Sequence, residues 1–312
     1  MTPVRPFRFG VQASGPATAQ EWAALARKVE DLGYATLTCA DHLRDQFAPI
    51  PALTAAALAT TTLRVGTMVL ANDFRHPAMV AKEAATLDVL SEGRFELGLG
   101  AGWQLTDYET TGLPLDPPGR RIGRLEEAIR VIKALFADGP VDFAGEHYEI
   151  NGLEGTPQPV QRPHPPLVIG GGGPRVLALA AREADVVGLN VNLAVGVLDD
   201  RAGSNATEEA TQAKLDIIQS AAGDRFDQIE LQVRVHAVVV TDDRQGMAEL
   251  LAPGLGISPD AALASPHALA GSPEAIVDDL LARRDRWGIS AITVSLDALD
   301  AMAPVVARLA GT

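Results

Sequence analysis

The feature that most constrains the fold of this chain is a regular alternation of short β-type runs with longer helical ones. Repeated βα units predict a parallel sheet covered by helices. The predicted strands are rich in valine, leucine and isoleucine, as expected for strands buried on both faces. They number eight and occupy residues 9–13, 35–39, 63–70, 95–99, 167–169, 185–190, 229–240 and 289–296. Eight units favour an α/β fold of the closed (β/α)8 type, a TIM barrel. A doubly wound open sheet is the alternative.

Length and loop composition bound the domain organisation. A chain of 312 residues suits one domain, because such barrels run to about 250 residues before insertions are added. We therefore predict a single domain over residues 1–312. Two stretches rich in proline and glycine interrupt the βα pattern at about residues 139–166 and 253–272, and the first holds a hairpin-like piece over residues 141–150. We interpret both as insertions that shape the pocket.

Charge and cysteine usage exclude several classes of partner and compartment. The formal net charge is −14 and no basic block occurs, so nucleic-acid binding is not expected. Cys39 is the only cysteine, which rules out a disulfide within the chain and fits a reducing cytoplasm. The sequence shows neither a secretory signal nor a membrane-spanning run. We expect a cytoplasmic protein that acts on a small molecule.

In a (β/α)8 barrel the chemistry lies at the C-terminal ends of the strands. The second predicted strand ends in Asp41-His42, and a histidine at this rim can exchange a proton near neutral pH. A structural histidine held in a loop is the alternative interpretation. The third strand ends in a run of small and unbranched residues that would let a ligand approach, and this run includes Thr67, Met68, Val69 and Asn72.

Two glycine-rich strand ends follow. Gly98, Gly100 and Gly102 alternate at the end of the fourth strand, and we interpret them as space for a planar ligand, with a bulge at the rim as the alternative. The fifth strand ends in four glycines, residues 170–173, ahead of Pro174-Arg175. Free N–H groups at a helix N-terminus suit a phosphate, whereas a merely flexible loop is the alternative. No metal site is predicted, because the six histidines form no metal-ligand spacing.

Residues 64–77 and 84–103 closely resemble segments of the luciferase-like monooxygenase superfamily. Within it, the chain is similar to actinobacterial proteins described as coenzyme F420-dependent oxidoreductases. Four further pieces support the resemblance: residues 73–77, 116–119, 166–173 and 265–267. The likeness runs nearly end to end. It implies an insertion-bearing (β/α)8 barrel of the bacterial luciferase type, usually a homodimer, that binds FMN or the deazaflavin F420 with its ring in the barrel mouth.

The resemblance also implies roles for individual residues. His42 corresponds to the catalytic acid/base of several deazaflavin members, and a non-prolyl cis peptide that backs the ring is expected near Met68-Val69. The expected cofactor contacts are Asp41, Thr67, Met68, Val69, Asn72, Gly100, Ala101, Gly102, Trp103, Gly171, Gly172, Gly173 and Arg175.

One position departs from the family pattern. Sugar-phosphate dehydrogenases of this group carry a glutamate where this chain has Trp103. The resemblance therefore implies an apolar or aromatic substrate rather than a sugar phosphate, with a core-facing tryptophan as the alternative interpretation. Three functions stay open: an F420-dependent oxidoreductase, which we favour, an FMN-dependent monooxygenase or reductase, and a non-catalytic barrel subunit. Residue chemistry alone does not separate F420 from FMN.

Overall fold

The computed structural model describes residues 4–13, 18–193, 196 and 201–312. Its strands, in chain order, are β1 (Arg8–Ala13), β2 (Thr36–Cys39), β3 (Arg64–Thr67), β4 (Leu70–Ala71), β5 (Phe95–Gly100), β6 (Pro140–Ala144), β7 (Glu149–Glu154), β8 (Leu167–Gly171), β9 (Val186–Leu189), β10 (Glu230–Arg234), β11 (Ala237–Val240), β12 (Ala268–Gly271) and β13 (Ile289–Ser295). The central sheet is parallel in the order β3-β2-β1-β13-β10-β9-β8-β5, and β3 pairs with β5 to close it. The predicted (β/α)8 barrel is confirmed.

Helices cover the barrel. They are α1 (Ala19–Asp31), α2 (Pro49–Ala59), α3 (Pro77–Leu90), α4 (Leu105–Thr111), α5 (Pro118–Leu135), α6 (Pro174–Glu183), α7 (Arg201–Ser204), α8 (Glu208–Ala222), α9 (Arg244–Leu255), α10 (Pro259–Ala264), α11 (Pro273–Trp287) and α12 (Leu299–Leu309). Short 3-10 turns span Asn72–Phe74, Gly223–Gln228 and Leu296–Ala298. None of the described helices is both long and apolar enough to span a bilayer.

Local chemistry explains where these helices begin and end. Thr18 and Glu21 form a capping box at the start of α1, in which each side chain accepts from the other residue's backbone N–H. Gly33 follows the end of α1 with a φ of +80°, which fits its prediction as a stop signal. Ser272 caps α11 in the same manner by accepting from the N–H of Ala275.

Two predicted strands are each divided in the structure. Residues 63–70 form β3 and β4 with an irregular link at Met68 and Val69. Residues 229–240 form β10 in the barrel and β11, which pairs with β12 in a separate two-stranded sheet. The prediction of one long strand was wrong because β-branched alternation indicates extended chain but not the sheet that it joins.

The two predicted insertions differ in outcome. Residues 139–166 hold the antiparallel hairpin β6–β7, as expected, although it extends to Glu154. The second region was predicted as an insertion rich in proline and glycine, and it contains regular structure: the end of α9, all of α10 and β12. The chain leaves the barrel sheet earlier than predicted, because β11, at Ala237–Val240, already pairs with β12. Two of the proline and glycine residues there mark helix boundaries: Pro259 stands in the first turn of α10, and Gly256, with a φ of +65°, follows the end of α9, whereas Pro253 lies within α9.

The N-terminal end of the barrel interior is closed by charge. Arg8 donates to Glu96 (Nη1 to Oε1, 2.7 Å) and to Glu230 (Nη2 to Oε2, 2.8 Å), and Arg64 Nε donates to Glu96 Oε1 at 2.6 Å. We call these four side chains the basal network. Burial raises the pKa of Glu96, but the charges and hydrogen bonds of the two arginines outweigh it and hold that pKa below its ordinary value. Two cations and two anions balance here.

Above the basal network the interior is rich in glycine. The glycines at this level are Gly10, Gly66, Gly98, Gly170 and Gly188. Some of them make room for a neighbouring strand: a Cβ on Gly10 would lie 3.1 Å from Thr293 Oγ1, and one on Gly188 would lie 3.2 Å from Gly170 Cα. Barrels of this class are usually filled by branched aliphatic layers. In this barrel, polar side chains and glycine replace those aliphatic layers between the basal network and the mouth.

Candidate active site at the barrel mouth

His42 follows β2, and its orientation is set by a carboxylate from another loop. The distance between His42 Nδ1 and Asp107 Oδ2 is 2.7 Å, and the other oxygen of Asp107 accepts the N–H of Leu43 at 3.1 Å. Both side chains are largely buried, with 14% and 5% exposure. A carboxylate on Nδ1 selects the tautomer that leaves Nε2 to exchange a proton. This arrangement suits general acid/base chemistry.

Asp107 was not among the predicted site residues. It lies in the first turn of α4, a seven-residue helix with no clear apolar periodicity. The available signal was chemical, because a histidine that works as an acid or base needs a partner to orient it. An acidic residue in the segment after the fourth barrel strand could therefore have been proposed as the partner of the histidine after the second strand.

Trp103 stands over this pair. Its ring packs edge-on against the His42 ring, with centroids 5.7 Å apart and an interplanar angle of 89°. Trp103 is half-buried in the loop between β5 and α4. The structure therefore places Trp103 at the mouth beside His42, rather than in the core.

The carboxylate of Asp41, one of the predicted cofactor contacts, is engaged within the protein. Its carboxylate accepts two bonds from the Arg75 guanidinium, at 2.5 and 3.0 Å, and also the N–H of Ala71 at 3.0 Å. Both oxygens are therefore committed to the chain after β4. The structure gives Asp41 a bracing position behind the mouth, where it fixes the segment that carries Asn72.

The irregular end of the third barrel strand is the centre of the mouth. The Met68–Val69 peptide is cis, as the resemblance predicts. Thr67 Oγ1 donates to the carbonyl of Gly98 at 2.9 Å and accepts its N–H at 2.8 Å. Gln12 Nε2 donates to the Met68 carbonyl at 2.9 Å. This segment is thus held from β5 on one side and β1 on the other.

The glycines at and after the end of β5 leave space for protein atoms, mainly those of this segment. A Cβ on Gly98 would overlap the Thr67 carbonyl, and one on Gly100 would lie 2.6 Å from Val69 Cγ2. Gly102 has a φ of +74°, and a Cβ there would overlap the Tyr108 hydroxyl. The interpretation of these glycines as ligand space was therefore incomplete, because protein atoms fill the space that each one opens.

A polar shell that the sequence did not reveal supports the loop after β5. The buried Arg121 on α5 donates to the carbonyls of Ala101 and Gly102. The Tyr108 hydroxyl donates to Asp73 at 2.9 Å. Burial, together with the charge of Asp73, raises the pKa of Tyr108 and keeps its hydroxyl protonated. The backbone at residues 101–102 is fixed in position as a result.

The hairpin insertion reaches back to the mouth. Asn72 Nδ2 donates to the Tyr148 hydroxyl at 3.1 Å. Tyr148 lies in the hairpin loop, whose backbone N–H groups at residues 146–148 donate to the Glu127 carboxylate on α5. The structure thus joins Asn72, one of the predicted contacts, to the first insertion.

The glycine turn after β8 is only partly open. A Cβ on Gly171 would press on Val176, and one on Gly172 would overlap the backbone of Asn190 and Val191. Among the described residues, a Cβ on Gly173 would meet the Asn192 side chain at ordinary contact distances of 3.7 to 3.9 Å. Arg175 is exposed in the first turn of α6, and its guanidinium lies beside Gly119 and Gly123 of α5. The described residues contain no cluster of three or more metal-ligating side chains.

Comparison with solved structures shows the fold. The coenzyme F420-dependent tetrahydromethanopterin reductase from Methanopyrus kandleri matches with a TM-score of 0.77 and covers 98% of each chain. The identity is 19%, so this likeness concerns architecture alone.

Curated relatives are closer in sequence. The F420-dependent glucose-6-phosphate dehydrogenase of Microbacterium testaceum is 35% identical over 192 residues, which cover 58% of this chain and 55% of that protein. The chain thus matches about half the length of this relative. A protein of the same name from Nakamurella multipartita is 30% identical over 261 residues, with 80% of this chain and 72% of that protein covered.

The sequence profile of the luciferase-like monooxygenase family matches residues 3–291, nearly the whole chain. That span includes seven of the eight barrel strands in full, the start of β13 and the mouth residues described above. The chain therefore belongs to the luciferase-like monooxygenase family.

Proposed function

We propose that the protein is an oxidoreductase that transfers a hydride between coenzyme F420 and a small organic substrate. The observation that carries the proposal is the His42–Asp107 pair beside the Met68–Val69 segment. His42 follows β2 and Met68–Val69 follows the neighbouring strand β3, which supports a proton-exchanging group close to a wall that would back a flat ring. The two relatives described above, both named as F420-dependent dehydrogenases, support the choice of this coenzyme.

The residues present fit such a coenzyme. Met68 and Val69 are half-buried, so they offer a partly apolar surface. Gly173 and the start of α6 offer free N–H groups, and Arg175 adds a charge, as a phosphate requires. We propose that Met68, Val69 and residues 100–103 hold the ring, and that residues 171–175 hold the phosphate. Thr67, Asn72 and Asp41 act by fixing these segments.

When bound, F420 supplies or accepts the hydride. His42 handles the proton that accompanies it: in alcohol oxidation Nε2 takes the hydroxyl proton as the C–H hydride departs, and in carbonyl reduction it returns that proton. Asp107 fixes the orientation of the His42 imidazole and stabilises the imidazolium that forms. The edge of Trp103 limits access of water to this pair.

We infer an apolar or aromatic substrate body. Trp103 occupies the position where the family resemblance leads one to expect a glutamate in sugar-phosphate dehydrogenases, and it stands against the His42 ring. A flat aromatic face in the mouth favours contact with another apolar surface. We therefore do not expect this protein to act on glucose 6-phosphate, the substrate in the names of the two relatives.

A binding titration tests the coenzyme assignment. We expect F420 to bind to the purified protein, with a change in its absorbance or fluorescence that saturates, and FMN to bind more weakly. Tighter binding of FMN, with oxygen consumption when reduced FMN is supplied, would support the monooxygenase function that the family name describes. Failure to bind either would point to a non-catalytic barrel.

We also propose that the protein is a cytoplasmic homodimer. Leu58 of α2 and Met79, Val89 and Leu90 of α3 are exposed apolar side chains on two helices that contact each other, and such a surface is typical of a subunit interface. Light scattering on the eluting protein tests it: a mass of twice 32.7 kDa is expected. A monomer at micromolar concentration would contradict it.

A further inference from the structure

The side of the mouth opposite His42 carries polar atoms that lack partners. Arg234 ends β10, and its Nη2 donates to Ser295 Oγ at 2.9 Å, but its Nη1 is buried and has no hydrogen-bond partner in the described part of the chain. Two residues earlier, Gln232 donates to Thr293 Oγ1 at 3.1 Å, and its buried Oε1 is also unpaired. Buried polar groups without partners are rare in folded proteins and call for an explanation.

These atoms belong to the same rim as the proposed ring site. Ser295, the partner of Arg234, pairs in register with Gln12 of β1. Gln12 in turn donates to the Met68 carbonyl. A continuous row of side chains therefore runs from Arg234 to the Met68–Val69 segment. A group held at Arg234 would lie across the mouth from the loops that carry His42 and Trp103.

The charge of Arg234 has no ion-pair partner among the residues that the structure describes. The carboxylate of Asp297 acts on Arg234 electrostatically, but Asp297 is exposed and no ion pair joins the two. The guanidinium is thus a partly buried cation without a paired anion in the described part of the chain, although the net charge of the sequence is −14.

We propose that Arg234 is a specificity-determining residue that binds a carboxylate of the substrate. The substrate class is then an organic acid with an apolar or aromatic body, in which Trp103 contacts the body and the Arg234 guanidinium takes the carboxylate. A guanidinium suits this role because its planar donors match two carboxylate oxygens. Gln232 Oε1 completes the site as an acceptor for a hydroxyl or a bridging water. This inference rests on the proposed function in one respect: the coenzyme that would lie beside the carboxylate site is F420.

Paired probes test this without knowledge of the natural substrate. Benzoate and benzyl alcohol share an aromatic body and differ in charge. Calorimetric or ligand-observed NMR titrations should show that the wild-type protein binds benzoate about 10- to 100-fold more tightly than benzyl alcohol. Arg234→Gln should remove this preference and leave benzyl alcohol binding unchanged, and Arg234→Lys should keep part of it. Arg130→Gln, the same change on the exposed face of α5, is the matched control.

The outcomes separate this inference from the proposed function. Each titration is run with and without F420. If F420 fails to bind but the benzoate preference is present and depends on Arg234, the coenzyme assignment falls and the carboxylate site stands. If F420 binds but benzoate and benzyl alcohol bind equally, or the preference survives in Arg234→Gln, the carboxylate site is overturned. If Arg234→Gln does not fold, the wild-type preference and its partial retention in Arg234→Lys decide.

Discussion

The two ends of the barrel interior use the same kinds of side chain in opposite ways. At the N-terminal end, the basal network joins two arginines to two glutamates with every charge compensated. At the C-terminal end, His42 pairs with Asp107, and a buried N–H of Arg234 has no partner among the residues that the structure describes. A closed network contributes to the fold, whereas an open one awaits a ligand. Burial of charge alone therefore does not indicate a functional site, because the basal network holds buried charge as well.

The largest expected effect that separates the two ends is on turnover. His42→Ala should lower kcat by about 10²- to 10⁴-fold, because alanine cannot exchange a proton. F420 affinity and the midpoint of urea unfolding should stay close to wild type. Turnover is followed by coenzyme absorbance on the best substrate from a panel of alcohols and carbonyl compounds. His164→Ala, at the opposite end of the barrel, is the control, and an unchanged kcat in His42→Ala would remove the catalytic role.

At the basal end the effect should fall on stability instead. Glu96→Gln leaves Arg64 without its counter-charge and Arg8 with Glu230 alone, which costs about 3 to 5 kcal/mol of unfolding free energy. Urea unfolding measures this, with the exposed Glu154→Gln as control. If the variant loses coenzyme affinity at unchanged stability, the contrast between the two ends fails.

The same glutamate predicts a pH dependence. Its pKa is lower in the folded protein than the ordinary value of 4.5. A lowered pKa stabilises the fold above the unfolded-state value and this contribution is lost as the pH falls through the folded-state value. Unfolding free energy measured between neutral and strongly acidic pH should therefore decrease below about pH 4.5, with a shallower decrease in Glu96→Gln. Identical slopes would show that other groups control acid stability.

Asp107→Asn sharpens the account of the mouth, since Asp107 positions His42 and does not itself carry the proton. A loss of about 10- to 100-fold in kcat is expected from the weaker bond to His42, with KM unchanged. In a His42→Ala background the same substitution should cost little further activity. Glu109→Gln, on the exposed face of α4, is the matched control. Additive losses in the double variant would assign Asp107 a merely structural role.

The smallest effect concerns the link between the hairpin and the mouth. Tyr148→Phe removes the acceptor of Asn72 Nδ2 and should lower the unfolding free energy by about 1 kcal/mol. A double-mutant cycle with Asn72→Ala isolates the pair. A coupling energy of zero would mean that the hydrogen bond contributes nothing.

Periodicity predicts the barrel well because each βα unit buries its own apolar faces, a property of local sequence. The position of His42 at the mouth was also predictable, since it directly follows a strand in the sequence. Asp107 was not, because its pairing joins two loops that are 65 residues apart. The glycines of β5 were recognised but assigned too simply: sequence marks where a side chain is absent and cannot say whether Thr67, Val69 or a ligand takes the space.

The attachment of the β6–β7 hairpin has a consequence for how this scaffold diversifies. Glu127 holds the hairpin loop through the N–H groups of residues 146–148, and almost any amino acid supplies such a donor. The side chains of that loop are thus not needed to hold it in place, except for Tyr148, whose hydroxyl accepts from Asn72. Residues 146 and 147 can therefore be randomised while the hairpin loop stays anchored to α5, so this loop should tolerate wide changes of side chain.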